Sequence, residues 1–105
     1  KDYHKEHFYI IALNSRNYSI AEVSVGSLNT SVVHPREVFA EAIKNKAASV
    51  IFAHNHPSGD PEPSEDDLEI TKQLTESGKI LGIEVIDHII ITKTGFTSFK
   101  EKNLI

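Results

Sequence analysis

Two histidines and an aspartate have the residue types and the spacing that a catalytic metal ion requires. His54 and His56 follow the apolar run Ser49–Ala53, which is typical of a central β-strand. Side chains alternate along a strand, so both imidazoles are expected on one face. Asp67 lies one turn into a predicted helix, and a loop that folds back would bring its carboxylate to them. Two histidines and one carboxylate are a known set of three ligands in catalytic zinc sites, where water takes the fourth position.

The segment between the histidines and the aspartate also has a purely structural interpretation. Residues 54–63 contain three of the four prolines and a Gly-Asp pair, a composition typical of an irregular loop. Ser64 and Asp67 have the spacing of a capping box, which by itself explains both residues. A His-x-His pair alone is a weak indication of a metal. The metal hypothesis therefore depends on the combination of the two histidines, the loop and the cap.

Patterns of apolar residues predict the elements that would position this segment. A helical repeat after Pro35 predicts a helix over residues 35–47, and the capping box predicts a second helix over 64–77 that ends at Gly78. The predicted strands are His7–Leu13, Tyr18–Val25, Ser49–Ala53, Ile83–Ile86, His88–Thr92 and a short Gly95–Lys100. This order of hairpins and crossovers predicts an α/β sandwich with a mainly antiparallel or mixed sheet.

Length and composition restrict the class of protein. A chain of 105 residues suffices for one hydrophobic core, so residues 1–105 are interpreted as a single domain. A hydrophobic fraction of 39% and a charged fraction of 25% fit a globular domain rather than a disordered one. No apolar run approaches the ~20 residues of a membrane span, so no membrane partner is expected.

Charge and cysteine content restrict the partners and the compartment. The formal net charge is −4 and no run of Lys and Arg occurs, which argues against direct nucleic-acid binding by this domain. The chain has no cysteine, which excludes a disulfide framework and a zinc site with Cys ligands. The charged N-terminus lacks the apolar segment of a signal peptide. We therefore predict a cytoplasmic location, and the missing initiator Met suggests a piece of a longer protein.

Residues 54–67, HNHPSGDPEPSEDD, contain two histidines, a serine and an aspartate spaced as in the JAMM motif of the JAB/MPN metalloprotease superfamily. The whole string resembles the RadC family within that superfamily, as do Thr30–Phe39 and Leu81–His88. The resemblance extends from about Glu6 to the C-terminus. It implies a curved mixed sheet flanked by helices, a fold of the cytidine-deaminase-like type, which agrees with the element order predicted above.

The resemblance also implies a function and a role for individual residues. The function would be that of a zinc-dependent hydrolase, a metallopeptidase or isopeptidase, acting on a peptide or protein of unknown identity. The implied Zn²⁺ ligands are His54, His56 and Asp67. Ser64 would hydrogen-bond the tetrahedral intermediate or the metal-bound water. The general base of the superfamily is a Glu near the start of an early strand, which matches Glu6, with Glu22 on the second predicted strand as the alternative.

Two further functions stay open at this point. Many JAB/MPN relatives are non-catalytic interaction or scaffold domains. These usually lose metal ligands, whereas all four motif residues are present in this sequence. The RadC family has long carried a DNA-repair label, but the acidic charge disfavours such an accessory role for this domain. Full-length RadC proteins carry an N-terminal helical region, so we expect a C-terminal JAB domain or a short stand-alone relative. His88 is interpreted as structural, with a role beside the metal as the alternative.

Overall fold

In the described part of the chain, two helices and five strands follow the predicted order of elements, except that two predicted strands form one. The computed structural model describes residues 6–25 and 33–105. The strands of this part are β1 (Phe8–Leu13), β2 (Ser19–Ser24), β3 (Ser49–Asn55), β4 (Glu84–Ile91) and β5 (Phe96–Ser98). The helices are α1 (Pro35–Lys44) and α2 (Glu65–Leu81).

The strands form one mixed sheet in the order β2-β1-β3-β4-β5. β1 pairs antiparallel with both β2 and β3, and β4 pairs antiparallel with β5. β3 and β4 are parallel, and α2 is the crossover between them. The predicted α/β fold with a mixed sheet and helices packed on it is therefore confirmed.

The core lies between the sheet and the two helices. Alternate residues of β1 and β3 point into it, α1 contacts β1, α2 contacts β4, and the helices contact each other. Its most deeply buried members are Phe8, Ile10, Val38, Phe39, Ala42, Val50, Phe52 and Leu74. Since this core forms without the candidate ligands, loss of one ligand is expected to leave the chain folded.

A β-bulge joins the two strands that were predicted over residues 83–92 into the single strand β4. Val50 pairs with Val85 and Ile51 pairs with Asp87, so Ile86 is an extra residue in the ladder. The prediction of two strands is wrong because the bulge interrupts the apolar alternation without ending the strand. Because of the bulge, Val85 and His88, which are three residues apart, are both buried against the helix layer.

Gly78 does not end α2, so that prediction is also wrong. The helix continues to Leu81, and its C-cap is Gly82, whose φ of 74° lies in the left-handed region that glycine adopts at little cost. Gly78 instead lies where the helix comes nearest to the chain entering β4. A Cβ at this position would collide with the backbone oxygen of Ile83.

Replacing Gly78 by Ala is expected to lower the free energy of unfolding by about 1–3 kcal/mol, because the added methyl group overpacks this contact. Gly95→Ala is the matched control, since a Cβ there meets no atom within 4 Å. Chemical denaturation of both variants gives the comparison. A Gly78→Ala protein that is more stable than wild type, through a helix propensity better by about 1 kcal/mol, would contradict the close approach.

Candidate metal centre

The two histidines of the motif lie at the end of β3, on the side of the sheet that faces α2. His54 continues the inward-facing row of Val50 and Phe52 and is only 1% exposed. His56 follows the last residue of the strand, and its ring centroid is 4.8 Å from that of His54. The two Nε2 atoms are 3.0 Å apart. The expected alternation thus brings both imidazoles together.

The first turn of α2 brings a carboxylate to both imidazoles. Asp67 Oδ2 is 2.9 Å from His56 Nε2, and Asp67 Oδ1 is 3.3 Å from His54 Nε2. The same Oδ2 accepts a hydrogen bond of 2.9 Å from the Ser64 N–H, while Ser64 Oγ accepts one of 3.0 Å from the Asp67 N–H. This is a complete capping box. Asp67 therefore belongs both to the helix cap and to the cluster of possible ligands, and one interpretation does not exclude the other.

The loop after β3 fixes the ring of His56. Its Nδ1 lies 2.8 Å from the backbone oxygen of Asp60, which can only accept, so Nδ1 carries the proton. In the neutral ring Nε2 then has a lone pair, and this lone pair faces the cluster. The Gly59 N–H donates to the His56 carbonyl in a turn where Gly59 has a φ of 88°.

The donor set of this cluster fits a metal ion. Two imidazole nitrogens 3.0 Å apart repel each other through their lone pairs unless a proton or a cation lies between them. Ligands at the ~2.0–2.1 Å of a tetrahedral zinc site lie about 3.3 Å apart, close to the separations among these two nitrogens and the Asp67 oxygens. The arrangement could therefore hold an ion with little movement of its side chains.

A second carboxylate, that of Glu6, also faces the two imidazoles. Ligand atoms of Glu6, His54 and His56 all lie within 4.8 Å of one another. The ladder between β1 and β3 pairs Phe8 with His54, and continuing this register by two residues places Glu6 across from His56. The His7 N–H donates to Asn55 Oδ1 at 2.6 Å, which holds the backbone beside Glu6 against the end of β3.

The two carboxyl groups have pKa values displaced in opposite directions. Burial raises the pKa of Glu6, and the charge of Asp67 adds to this effect while the imidazoles of His54 and His56 offset part of it. Burial by itself would also raise the pKa of Asp67. Hydrogen bonds from His54 and from the Ser64 backbone outweigh burial and hold the Asp67 pKa well below its usual range. One carboxylate thus stays ionised, while the other takes up a proton more readily, a division suited to two roles.

Glu22 is not part of this cluster. It lies on β2, which β1 separates from β3. Ile11 pairs with both Glu22 and Ile51, so these three residues share a face of the sheet. Since Ile51 is three residues before His54, that face is opposite to the one that carries the imidazoles.

His88, interpreted from the sequence as structural, contacts the cluster directly. Its Nε2 is 2.6 Å from His54 Nδ1, and its Nδ1 is 2.6 Å from Thr71 Oγ1. Thr71 escaped the sequence analysis, although it stands four residues after Asp67 and hence on the same face of α2. Burial, followed by the proximity of His54, lowers the pKa of His88 to about 3, so this ring is neutral at ordinary pH.

A family model described as RadC-like JAB domain matches residues 1–104. The chain therefore belongs to the family of RadC-like JAB domains, and the resemblance noted in the sequence is confirmed. Within the part of the chain that the structure describes, no helix is long and apolar enough to cross a membrane.

Similar proteins include three bacterial proteins that carry the name UPF0758. One from Clostridium acetobutylicum is 55% identical over 107 residues, covering 100% of this chain and 47% of the relative. One from Geobacillus thermodenitrificans is 57% identical, covering 96% and 46%, and one from Bacillus mycoides is 58% identical, covering 93% and 44%. The chain thus spans a little under half the length of these relatives.

Proposed function

We propose that this domain is a zinc-dependent hydrolase that cleaves amide bonds in a peptide or protein substrate, as a peptidase or isopeptidase. The observation that carries the proposal is the convergence of His54 Nε2, His56 Nε2 and the Asp67 carboxylate within 2.9–3.3 Å, with Glu6 beside them. Membership of the RadC-like JAB family supports it, because the JAMM spacing in the sequence is the spacing of these residues.

The ligands would be His54, His56 and Asp67. A zinc ion held there supplies a Lewis acid that polarises a carbonyl and acidifies a water molecule near neutral pH. Asp67 suits the role of ligand because it lies close to both Nε2 atoms and because the hydrogen bond from the Ser64 backbone N–H favours its ionised form. The reciprocal bonds with Ser64 orient the carboxylate before any ion arrives.

Glu6 would be the general base. It takes the proton of the attacking water and passes it to the amine that leaves. The position suits this role because Glu6 lies within 4.8 Å of the imidazoles yet directly precedes β1, whereas the ligands belong to the end of β3 and to α2. Its raised pKa helps it to hold the proton between the two transfers.

Ser64 would stabilise the oxygen of the reacting carbonyl. Its Oγ accepts the Asp67 N–H, so the hydroxyl proton points elsewhere and can be donated. The residue is exposed at the start of α2, where a substrate can approach. Backbone N–H groups at the N-terminus of a helix favour developing negative charge in the same place.

The purified domain is expected to bind about one zinc ion per chain, as three protein ligands and an open position predict. Elemental analysis after mild dialysis measures this content for wild type and for His54→Ala and Asp67→Asn, which should lose most of the metal. Glu22→Gln is the matched control, because Glu22 lies on the other face of the sheet. Zinc far below one per chain in wild type, with no uptake on titration, would contradict the proposal.

We do not expect this domain to bind DNA directly. The net charge of −4 opposes contact with a phosphate backbone, and two of the carboxyl groups that contribute to it, those of Glu6 and Asp67, belong to the cluster itself. An electrophoretic shift of duplex DNA that weakens with increasing salt would contradict this expectation and favour an accessory role in DNA processing.

A further inference from the structure

A chain of hydrogen bonds leads from the candidate metal centre into the interior of the domain. It joins His54 Nδ1 to His88 Nε2 at 2.6 Å, and His88 Nδ1 to Thr71 Oγ1 at 2.6 Å. All three residues are at most 1% exposed. His54 is on β3, His88 on β4 and Thr71 on α2, so the chain crosses three elements that meet only in the folded protein.

The hydrogen bonds in this series can be donated in either of two directions, and only one direction is compatible with metal binding at His54. A metal ion binds the lone pair of Nε2, so the ring proton of His54 must be on Nδ1. His88 Nε2 then accepts this proton in a hydrogen bond, and the neutral His88 ring carries its own proton on Nδ1. Thr71 Oγ1 accepts in turn, which a hydroxyl can do. In the reverse direction the proton of His54 lies on Nε2 and blocks the metal.

We infer that His88 and Thr71 are positioning residues that hold His54 in the ring orientation and tautomer needed to bind the metal ion through Nε2. This inference rests on the proposed metal site and extends it to residues outside the motif. Imidazoles that bind metals commonly donate their second N–H to a carboxylate, a carbonyl or water, and such partners tune the affinity. Here a neutral imidazole and a threonine hydroxyl take that place.

The surroundings of His88 support a function beyond packing. Its ring stacks on Phe99 at a centroid distance of 4.5 Å and meets the edges of Phe8 and Phe52 at 5.8 and 6.2 Å. An apolar side chain would fill such an aromatic site without the cost of burying a polar ring. The bulge at Ile86 turns His88 to the side of the sheet that faces α2, where it contacts His54 of β3 and Thr71 of α2.

A neutral partner also suits the charge of the site. Asp67 and Glu6 already contribute two carboxyl groups near His54, and a third carboxylate in the aromatic site would be buried without a cation of its own. The neutral His88 ring accepts the hydrogen bond from the His54 Nδ1–H and adds no charge. Thr71 lies one helical turn after Asp67, so one face of α2 supplies both the candidate ligand and the last acceptor in the chain of hydrogen bonds.

The first test measures zinc affinity by competition with a chromogenic chelator. Thr71→Val keeps the size of the side chain and removes the acceptor for His88. His88→Leu removes both hydrogen bonds of the chain. Both variants are expected to weaken zinc binding by about 10–100-fold. Thr71→Ser restores the hydroxyl and should bind zinc nearly as wild type does. Thr75→Val is the matched control, because the Thr75 hydroxyl donates to the Thr71 carbonyl of its own helix.

The melting temperature of each metal-free variant separates this role from a structural one. A merely structural role predicts a loss of stability with unchanged zinc affinity in the folded fraction, and that result would overturn the inference. Wild-type zinc affinity in both Thr71→Val and His88→Leu would also overturn it while leaving the proposed hydrolase intact. Failure of the wild type to bind zinc would instead overturn the proposed function and the inference together.

The second test observes the protons directly in the wild-type protein, so it does not depend on a variant that folds. Long-range ¹⁵N–¹H correlation spectra of the zinc-loaded domain distinguish the two nitrogens of each imidazole. We expect the His88 proton on Nδ1 and its Nε2 unprotonated, with His54 protonated on Nδ1. A proton on His88 Nε2 in the zinc-loaded protein would overturn the inference.

Discussion

Glu6→Gln is expected to reduce turnover by at least about 10²-fold while zinc content and melting temperature stay near those of wild type. Gln keeps the shape of the side chain but cannot accept a proton from water. The Glu6 backbone is held by the neighbouring hydrogen bond from His7 to Asn55, which the substitution leaves in place. Turnover is measured with a library of quenched-fluorescent peptides and isopeptide-linked peptides, using zinc-loaded protein.

Glu22→Gln is the matched control for this experiment, because Glu22 lies on the face of the sheet opposite to the imidazoles. Its turnover should equal that of wild type. A Glu6→Gln protein with normal turnover, beside a Glu22→Gln protein without it, would move the base to Glu22. Loss of zinc from Glu6→Gln would instead identify Glu6 as a ligand, which its distance to both histidines permits. Normal turnover in both variants would contradict the mechanism.

Ser64→Ala is expected to have two separate effects, because Ser64 belongs to both the cap and the candidate site. Loss of the hydrogen bond from the Asp67 N–H should lower the free energy of unfolding by ~1 kcal/mol. Loss of the hydroxyl donor should lower turnover by ~10²–10³-fold. Denaturant titration measures the first effect, and the peptide assay with zinc-loaded protein measures the second.

Ser64→Asp separates the two roles. An ionised Asp caps a helix as well as Ser does, but it cannot donate a hydrogen bond to a developing oxyanion. We therefore expect near wild-type stability with turnover still low, and Ser64→Thr should keep both properties. Zinc content is measured alongside, because Asp67 depends on Ser64 for its orientation. Recovery of both stability and turnover in Ser64→Asp would contradict the catalytic role of Ser64.

Much of the candidate site is predictable from the sequence because it is built from local periodicities. Alternation along β3 puts His54 and His56 on one side, and the capping-box spacing puts Asp67 in the first turn of α2. Both rules act over a few residues and hold wherever a strand or helix forms. The JAMM spacing adds the expectation that the helix start returns to the strand end, which the contact between His56 and Asp67 satisfies.

The boundaries of α2 and β4 were predicted less well because tertiary contacts decide them. Gly78 has the residue type of a helix end, yet it lies inside α2 because the chain entering β4 passes too close for a side chain. The apolar alternation of the sequence is interrupted after Ile86, but only the pairing with β3 shows that the interruption is a bulge and not the end of a strand. Local propensity cannot predict either feature, since each depends on a neighbour in another element.

The sequence by itself determined the fold class, the histidine pair and its link to the helix cap, because these follow from backbone periodicity and from the JAMM spacing. Only the tertiary structure decided which distant groups surround them. Strand pairing brings Glu6 toward His56, and the bulge in β4 turns His88 onto His54 and Thr71. His54 and His88 are 34 positions apart in sequence. Contacts of that range arise from packing the sheet against α2, and no local pattern of residues specifies them.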